Sequence, residues 1–322
     1  MPSEFDLIRR WFERPARGAR VGVGDDCALI APTAGMDLAV STDLLAEGIH
    51  FLAGTDARRL GHKSLAVNLS DMAASGAQPH WATLALALPS ADERWLAEFS
   101  AGLFALADRF GTELVGGDTT RSSAPGSLTI CITIFGDVPA GGGLLRSGAK
   151  PGDDIWVSGE LGGAALGLAL RLGRVALPEQ HADHALRRLE LPEPRVDLGL
   201  RLRGLASSAI DVSDGFAGDL MHILERSAAA ARVRYDSLPR CASLAMLGDA
   251  ELERRCVLSG GDDYELVFTV SAMRRGEVEQ LARELNLPLA CVGTVLSGAP
   301  KLEILDRGGR ALYAARGFDH FS

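Results

Sequence analysis

The chain has no excess of positive charge: 33 lysines and arginines stand against 42 aspartates and glutamates, a formal charge of -9. The deficit is spread over both halves, with 17 acids to 13 bases in residues 1–150 and 25 to 20 in the remainder. A nucleic-acid-binding domain, which needs a basic face, is disfavoured. Long apolar runs are also missing. The stretch around Trp81 to Leu88 is far short of the roughly 20 residues a membrane span requires. Near the start, Glu4, Asp6, Arg9 and Arg10 leave no room for the apolar segment of a signal peptide, so a cytoplasmic protein is expected. Cysteine is sparse and unpaired in pattern. Cys27, Cys131, Cys241, Cys256 and Cys291 are odd in number and never form Cys-x-x-Cys, which predicts neither disulfides nor a zinc site. They are expected to be small buried apolar residues.

What is present is enough apolar material for a large core: 47% hydrophobic residues and 23% charged. Length alone suggests about two domains. Short runs rich in valine, isoleucine and leucine alternate with helical patterns, the signature of a mixed α/β chain. Strands are expected at Leu38 to Val40, Thr83 to Leu88, Leu128 to Phe135, Ile155 to Val157, Tyr264 to Val270 and Leu289 to Val292. In Arg59 to Ser75, Leu65, Leu69, Met72 and Ala73 form one apolar stripe, with Asn68, Asp71 and Ser75 on an adjoining face and Gly76 as the stop. Phe216, Leu220, Ile223 and Leu224 repeat that spacing after a Ser213 or Asp214 cap. The alanine run Ala228 to Ala231 is expected inside a helix. The densest cluster of glycine and proline lies between Pro139 and Asp153. It predicts a domain of residues 1–138, a junction 139–153 and a second domain 154–322.

Several familiar sites are excluded by spacing. There is no His-Glu-x-x-His, no EF-hand loop at Asp211 to Gly215, no P-loop at Gly61-His62-Lys63-Ser64, and no third glycine after Gly22-Val23-Gly24. Aspartates instead recur beside small residues: Gly24-Asp25-Asp26, Ser41-Thr42-Asp43, Asn68-Leu69-Ser70-Asp71, Gly116-Gly117-Asp118 and Asp211-Val212-Ser213-Asp214-Gly215. Each alone fits a turn or a helix cap. Together they are hard oxygen donors of the kind that hold magnesium with phosphates and water. The turn Ser158 to Gly163, between a strand and a helical run, offers amides for a phosphate. Arg146 sits in the breaker-rich junction, within reach of a phosphate or simply solvated. His50 reads equally as a packing residue or a ligand contact.

The strings GDDCA, STDLLAEGIHF, KSLAVNLSDMAASGA, GGDTTR, RSGAKPGD, AIDVSDGFAGDL and SGGDDYEL, in this order, closely resemble the thiamine-monophosphate kinase family. The resemblance runs from about Phe5 to Phe321. It implies a two-domain fold of the aminoimidazole ribonucleotide synthetase type, whose N-terminal strands form a barrel-like core with a second subunit while a C-terminal α/β domain closes over the site. It implies transfer of the ATP γ-phosphoryl group to thiamine monophosphate, several magnesium ions, and a homodimer. Its magnesium ligands fall on Asp26, Ser41, Thr42, Asp43, Asp71, Asp118, Asp211 and Asp214; Asp43, Asp71, Asp118 and Asp211 are the expected catalytic set. ATP contacts fall on Gly117, Asp118, Arg146 and Ser213, and substrate contacts on His50, Asp262 and Phe318. The family usually has glutamate where this chain has Asp262.

Two other readings stand beside this one. The chain could be another ATP-using enzyme of the same superfamily, or a magnesium- and nucleotide-binding regulator without turnover. The ending Phe318-Asp319-His320-Phe321-Ser322 has no cysteine, which disfavours the hydrogenase-maturation relatives. Cys27 follows the acidic pair instead of standing in the glycine-rich segment of a selenophosphate synthetase. Retention of every metal-site aspartate disfavours the regulator.

Overall fold

The structure is a computed structural model that describes residues 3–123 and 127–312. The expected substrate contact Phe318 lies outside the described residues. The chain divides into two compact units, one comprising residues up to Met72 with Ala77–Gly141, the other Ala73–Gly76 with the residues from Gly142 on.

The first unit runs α1 (Glu4–Trp11), β1 (Ala19–Val21), β2 (Leu29–Ile30), β3 (Met36–Ala46), α2 (Ala57–Ser75), β4 (Gln78–Leu88), α3 (Glu93–Phe110), β5 (Glu113–Arg121) and β6 (Thr129–Pro139). Its main sheet has the order β3-β6-β4-β5; β4 and β5 are parallel and the other pairs antiparallel. It is an open sheet, and no closed barrel occurs among the described residues. Local chemistry sets the helix ends. Asp92 caps α3 by accepting from the amides of Arg94 and Trp95, and Gly111 ends it with a left-handed φ of 65°. The stripe expected in α2 is present, with Leu65, Leu69, Met72 and Ala73 at most 1% exposed. Burial extends further than the pattern implied, because Ser64, Asn68 and Ser70 on the polar side are also fully buried.

The second unit comprises β7 (Asp153–Ser158), α4 (Gly163–Arg171), α5 (Glu179–Glu190), α6 (Val196–Leu202), β8 (Ser208–Asp211), α7 (Phe216–Ser227), β9 (Ala230–Arg234), α8 (Ala250–Ser259), β10 (Leu266–Ser271), α9 (Arg275–Glu284), β11 (Leu289–Leu296), β12 (Lys301–Leu305) and β13 (Ala311–Leu312). Seven strands form one sheet in the order β13-β12-β9-β11-β7-β10-β8. The α7 stripe Phe216, Leu220, Ile223 and Leu224 is wholly buried in its core, a contribution of about 1.5–3 kcal/mol for each side chain. The alanine run is not helical throughout: α7 ends at Ser227, Ala228 turns left-handed at φ 50°, and Ala230 opens β9. Burial of the cysteines is also uneven. Cys241 and Cys256 are buried, Cys131 and Cys291 half-buried, and Cys27, in an irregular loop before β2, is exposed.

Candidate active site

In the first unit the carboxylates are placed by the pleat of β3. Side chains alternate between faces along a strand, and the register sets Ser41, Asp43 and Leu45 beside Ile134, Ile132 and Ile130 of β6. Those isoleucines are at most 1% exposed, so this is the covered face, and β3, as the edge strand, holds Ser41 and Asp43 at its margin. There the Ser41 hydroxyl donates to Asp71 Oδ2 on α2. Thr42 alternates to the other face, where its hydroxyl lies 2.9 Å from that of Thr133. Gly117 has a φ of 153°, and a Cβ there would stand 1.9 Å from the Leu84 carbonyl oxygen. Only glycine lets β5 run this close to β4. The exposed Asp118 follows, aligned with Ala85 and, through it, Cys131 on the face opposite Asp43. Asp26 is exposed and its amide donates to Asp25 Oδ1 at 2.9 Å. His50 turns inward on its own strand end, its Nδ1 accepting from the Ala46 amide at 3.0 Å.

In the second unit two loops interlock. Asp211 ends β8 and is 4% exposed. Neither Ser213 nor Asp214 caps α7, contrary to expectation: the cap position is Gly215, with φ 123° and no side-chain bond. Asp219, one turn into the helix, takes over instead, accepting from the amides of Ser213, Asp214 and Gly215 at 3.0–3.1 Å. Burial, reinforced by Asp211 and Asp214, pushes the Asp219 carboxyl up to about 7 against those donors. Three acids thus crowd one loop. The second loop is tied to it by backbone bonds, from the Asp262 amide to the Ser213 carbonyl at 2.9 Å and from the Tyr264 amide to the Val212 carbonyl at 2.8 Å. A Cβ at Gly261 would fall 2.4 Å from the Ser213 oxygen. Asp262 is held in a left-handed conformation, φ 67°, and its Oδ1 accepts from the Tyr264 hydroxyl at 3.0 Å. Asp211, Ser213, Asp214 and Asp262 therefore share one neighbourhood.

The glycine turn before α4 does not have the open amides expected for a phosphate. The Asp263 carboxylate accepts from the amides of Gly162 at 2.6 Å and Ala164 at 3.2 Å, so the anion at this helix start belongs to the protein. Burial pushes Asp263 up to about 7, with Arg188 and the two amides pulling it down. Beneath it lies Glu265, 0% exposed, which accepts from Arg188 Nη2 at 2.8 Å, Arg195 Nε and Nη2 at 2.6 Å and the Ser158 hydroxyl at 2.6 Å. Those partners outweigh burial and hold its carboxyl below the usual range. Asp219 and Glu265 were not singled out from the sequence. Glu265 follows the Gly-Gly-Asp-Asp motif as the one charge entering an apolar run, and that position was the available signal. Arg146 is exposed; its carbonyl accepts from the Ser227 hydroxyl at 3.3 Å.

Known proteins resemble this chain along nearly its whole length. The AIR synthase related protein N-terminal domain matches residues 24–138 and its C-terminal domain residues 150–304. The thiamine-monophosphate kinase of Salmonella typhimurium is 44% identical over 99% of this chain and 98% of its own length. The structure of thiamine-monophosphate kinase from Stenotrophomonas maltophilia superposes with a TM-score of 0.84 at 45% identity, covering 95% of each chain. A structure of AaThiL complexed with AMPPCP and TMP superposes with a TM-score of 0.79 at 27% identity, covering 98% of this chain and 96% of that one. With full-length identity of this order and an α/β architecture that superposes throughout, the chain belongs to the thiamine-monophosphate kinase family.

Proposed function

We propose that this chain transfers the γ-phosphoryl group of ATP directly to thiamine monophosphate, in line and without a phosphoenzyme, giving thiamine diphosphate and ADP. The observation that carries the reading is the 44% identity to a thiamine-monophosphate kinase over 99% of the chain. The acceptor needs no general base, since the second pKa of a phosphate monoester is about 6 and its oxygen is largely ionised at neutral pH. The barrier is repulsion between two polyanions, which positioning and charge stabilisation lower.

The residues fit magnesium. The donor set assigned by family likeness is oxygen throughout, the kind magnesium prefers, and Asp211 and Asp214 stand beside a third acid, Asp219, raised chiefly by burial and further by those two. Magnesium, when bound, screens the phosphates and the carboxylates from one another. In the first unit Asp43 and Asp71, the latter bonded to Ser41, would serve one ion, and Asp26 and Asp118, the last on the opposite sheet face, another; Asp211 and Asp214 would serve one in the second unit. Thr42, whose hydroxyl meets Thr133, is the least supported member. Gly117 lets Asp118 sit on a backbone too close for side chains, Ser213 and Arg146 are assigned to ATP, and Asp262, fixed by Tyr264, with His50 and Phe318 to the substrate. The side chain of Asp262 is one methylene shorter than the family's usual glutamate.

An assay with magnesium-ATP and thiamine monophosphate, with free thiamine and aminoimidazole precursors as comparison acceptors, tests the assignment. Thiamine diphosphate is expected from the monophosphate alone. Product from free thiamine alone would overturn it, and acceptor-independent ATP binding without ADP would return the chain to the regulator class.

Assembly is proposed to be a homodimer through the open face of the first unit's sheet, with the strands of two copies completing a barrel-like core. Met36, Leu38, Val40 and Leu44 project from the same side of β3 and are 41–56% exposed, an apolar ladder that an isolated chain has no reason to keep in water. Sedimentation at micromolar concentration should give twice the 34.0 kDa chain mass; a monomer at all concentrations would remove this assignment. A cytoplasmic setting is proposed with the rest; among the described residues no helix is long and apolar enough to cross a membrane.

A further inference from the structure

One cluster of ligating side chains stands apart from the aspartates assigned to magnesium. Glu160, in the glycine turn after β7, His184 on α5 and Cys241, just before a short 3-10 turn at Ala242–Met246, each offer one ligand atom, and the three atoms lie within 4.8 Å of one another. His184 Nδ1 is 3.8 Å from Cys241 Sγ and 3.4 Å from the Ser243 hydroxyl, and His184 Nε2 is 3.9 Å from Glu160 Oε2. A tetrahedral zinc ion with bonds of 2.0–2.3 Å needs ligand atoms about 3.5 Å apart. The contacts to Cys241 and Glu160 are made by different ring nitrogens, and with one ligand atom from each residue the three lie within 4.8 Å of one another, so the imidazole and the carboxylate must close in on the sulfur, and these are the two side chains with freedom to do so. His184 and Glu160 are 42% and 41% exposed, whereas Cys241 is 1% exposed and fixed.

The donor types select the ion. Thiolate, imidazole and carboxylate suit zinc and its neighbours in the transition series, while magnesium prefers oxygen alone. The support around the cluster is already built. His181, one turn before His184 on α5, places its Nδ1 3.3 Å from the same Ser243 hydroxyl, so Ser243 bridges two imidazoles. The backbone of Glu160 is anchored by Arg188, whose Nη2 donates to the Glu160 carbonyl at 3.1 Å, and the next turn is pinned by Asp263.

We propose that Glu160, His184 and Cys241 form a binding site for a borderline divalent cation of the zinc type, separate from the magnesium-binding aspartates. Three protein ligands leave a fourth position for water, and half-exposed ligands make the ion exchangeable, as in open zinc sites and unlike closed structural ones. A cysteine binds a cation as thiolate, so binding displaces the thiol proton and apparent affinity should rise with pH.

The test uses cobalt(II) as a spectroscopic probe on the full chain in excess magnesium. One equivalent should bind with an intense thiolate-to-cobalt absorption band, and zinc should bleach that band by displacement. Cys241→Ser should abolish the band. His184→Ala should weaken binding by roughly tenfold or more, with a circular-dichroism spectrum unchanged because the ring is half-exposed. The proposal fails if no thiolate band appears, or if the band persists in Cys241→Ser, which would assign it to another cysteine such as the exposed Cys27. It fails equally if His184→Ala, folded, binds cobalt as wild type does. None of these readings depends on phosphoryl transfer.

Discussion

Asp43→Asn is expected to lower kcat by roughly two orders of magnitude or more, the scale on which loss of one stabilising group acts on a transition state. The change is nearly isosteric and removes one negative charge at the margin of the covered sheet face, so the thermal midpoint should move little. The same loss is expected for Asp118→Asn, although the register puts that residue on the opposite face. Arg146→Ala supplies the contrast. An exposed arginine that meets ATP should chiefly raise the KM for ATP. Steady-state kinetics on the three variants separates the roles, and near-wild-type kcat in both aspartate variants would remove the magnesium assignment.

The largest expected loss of stability comes from Glu265→Gln. Arg188 and Arg195 have side chains only 14% and 15% exposed, and both bond to Glu265. Removing the carboxylate leaves two guanidinium groups short of charge in the interior, a loss of about 3–5 kcal/mol for a broken buried pair. The urea midpoint should fall accordingly, while Glu277→Gln, at a surface pair with Arg274, should leave it almost unchanged. An unaltered midpoint in Glu265→Gln would show the trio to be energetically idle. Because Glu265 has a folded pKa below its unfolded one, its contribution is present above the unfolded value of about 4.3 and is lost as pH falls through the folded one. Wild type should therefore lose this increment in acid, and the variant should not.

The sequence was readable where structure follows local periodicity. The helix α2 begins two residues earlier than expected, at Ala57, and the six expected strands all exist, most of them longer than their apolar runs. The strand β5 was invisible because its Gly116-Gly117-Asp118 reads as a turn; close approach to β4, a tertiary fact, is what demands glycine there. The alanine run misled because propensity favours helix, whereas pairing of β9 with β11 and β12 decides the outcome. The aspartate motifs were conspicuous, but the acids that organise the second loop were not. Asp219 accepts from backbone amides only 4 to 6 residues back, a tie that its position inside a helical pattern hides, while Glu265 acts through arginines 70 and 77 residues away, beyond any spacing rule.

The apolar ladder on β3 also bears on the single chain. An 11-residue edge strand with four large side chains open to water is a template for any extended segment nearby. For the proposed homodimer, a newly made single copy would be sensitive to its own concentration in two opposing ways, pairing correctly at one rate and aggregating at another. A charged substitution at Leu38 or Leu44 should oppose edge-to-edge association, weakening the proposed pairing while also lowering aggregation of the single chain.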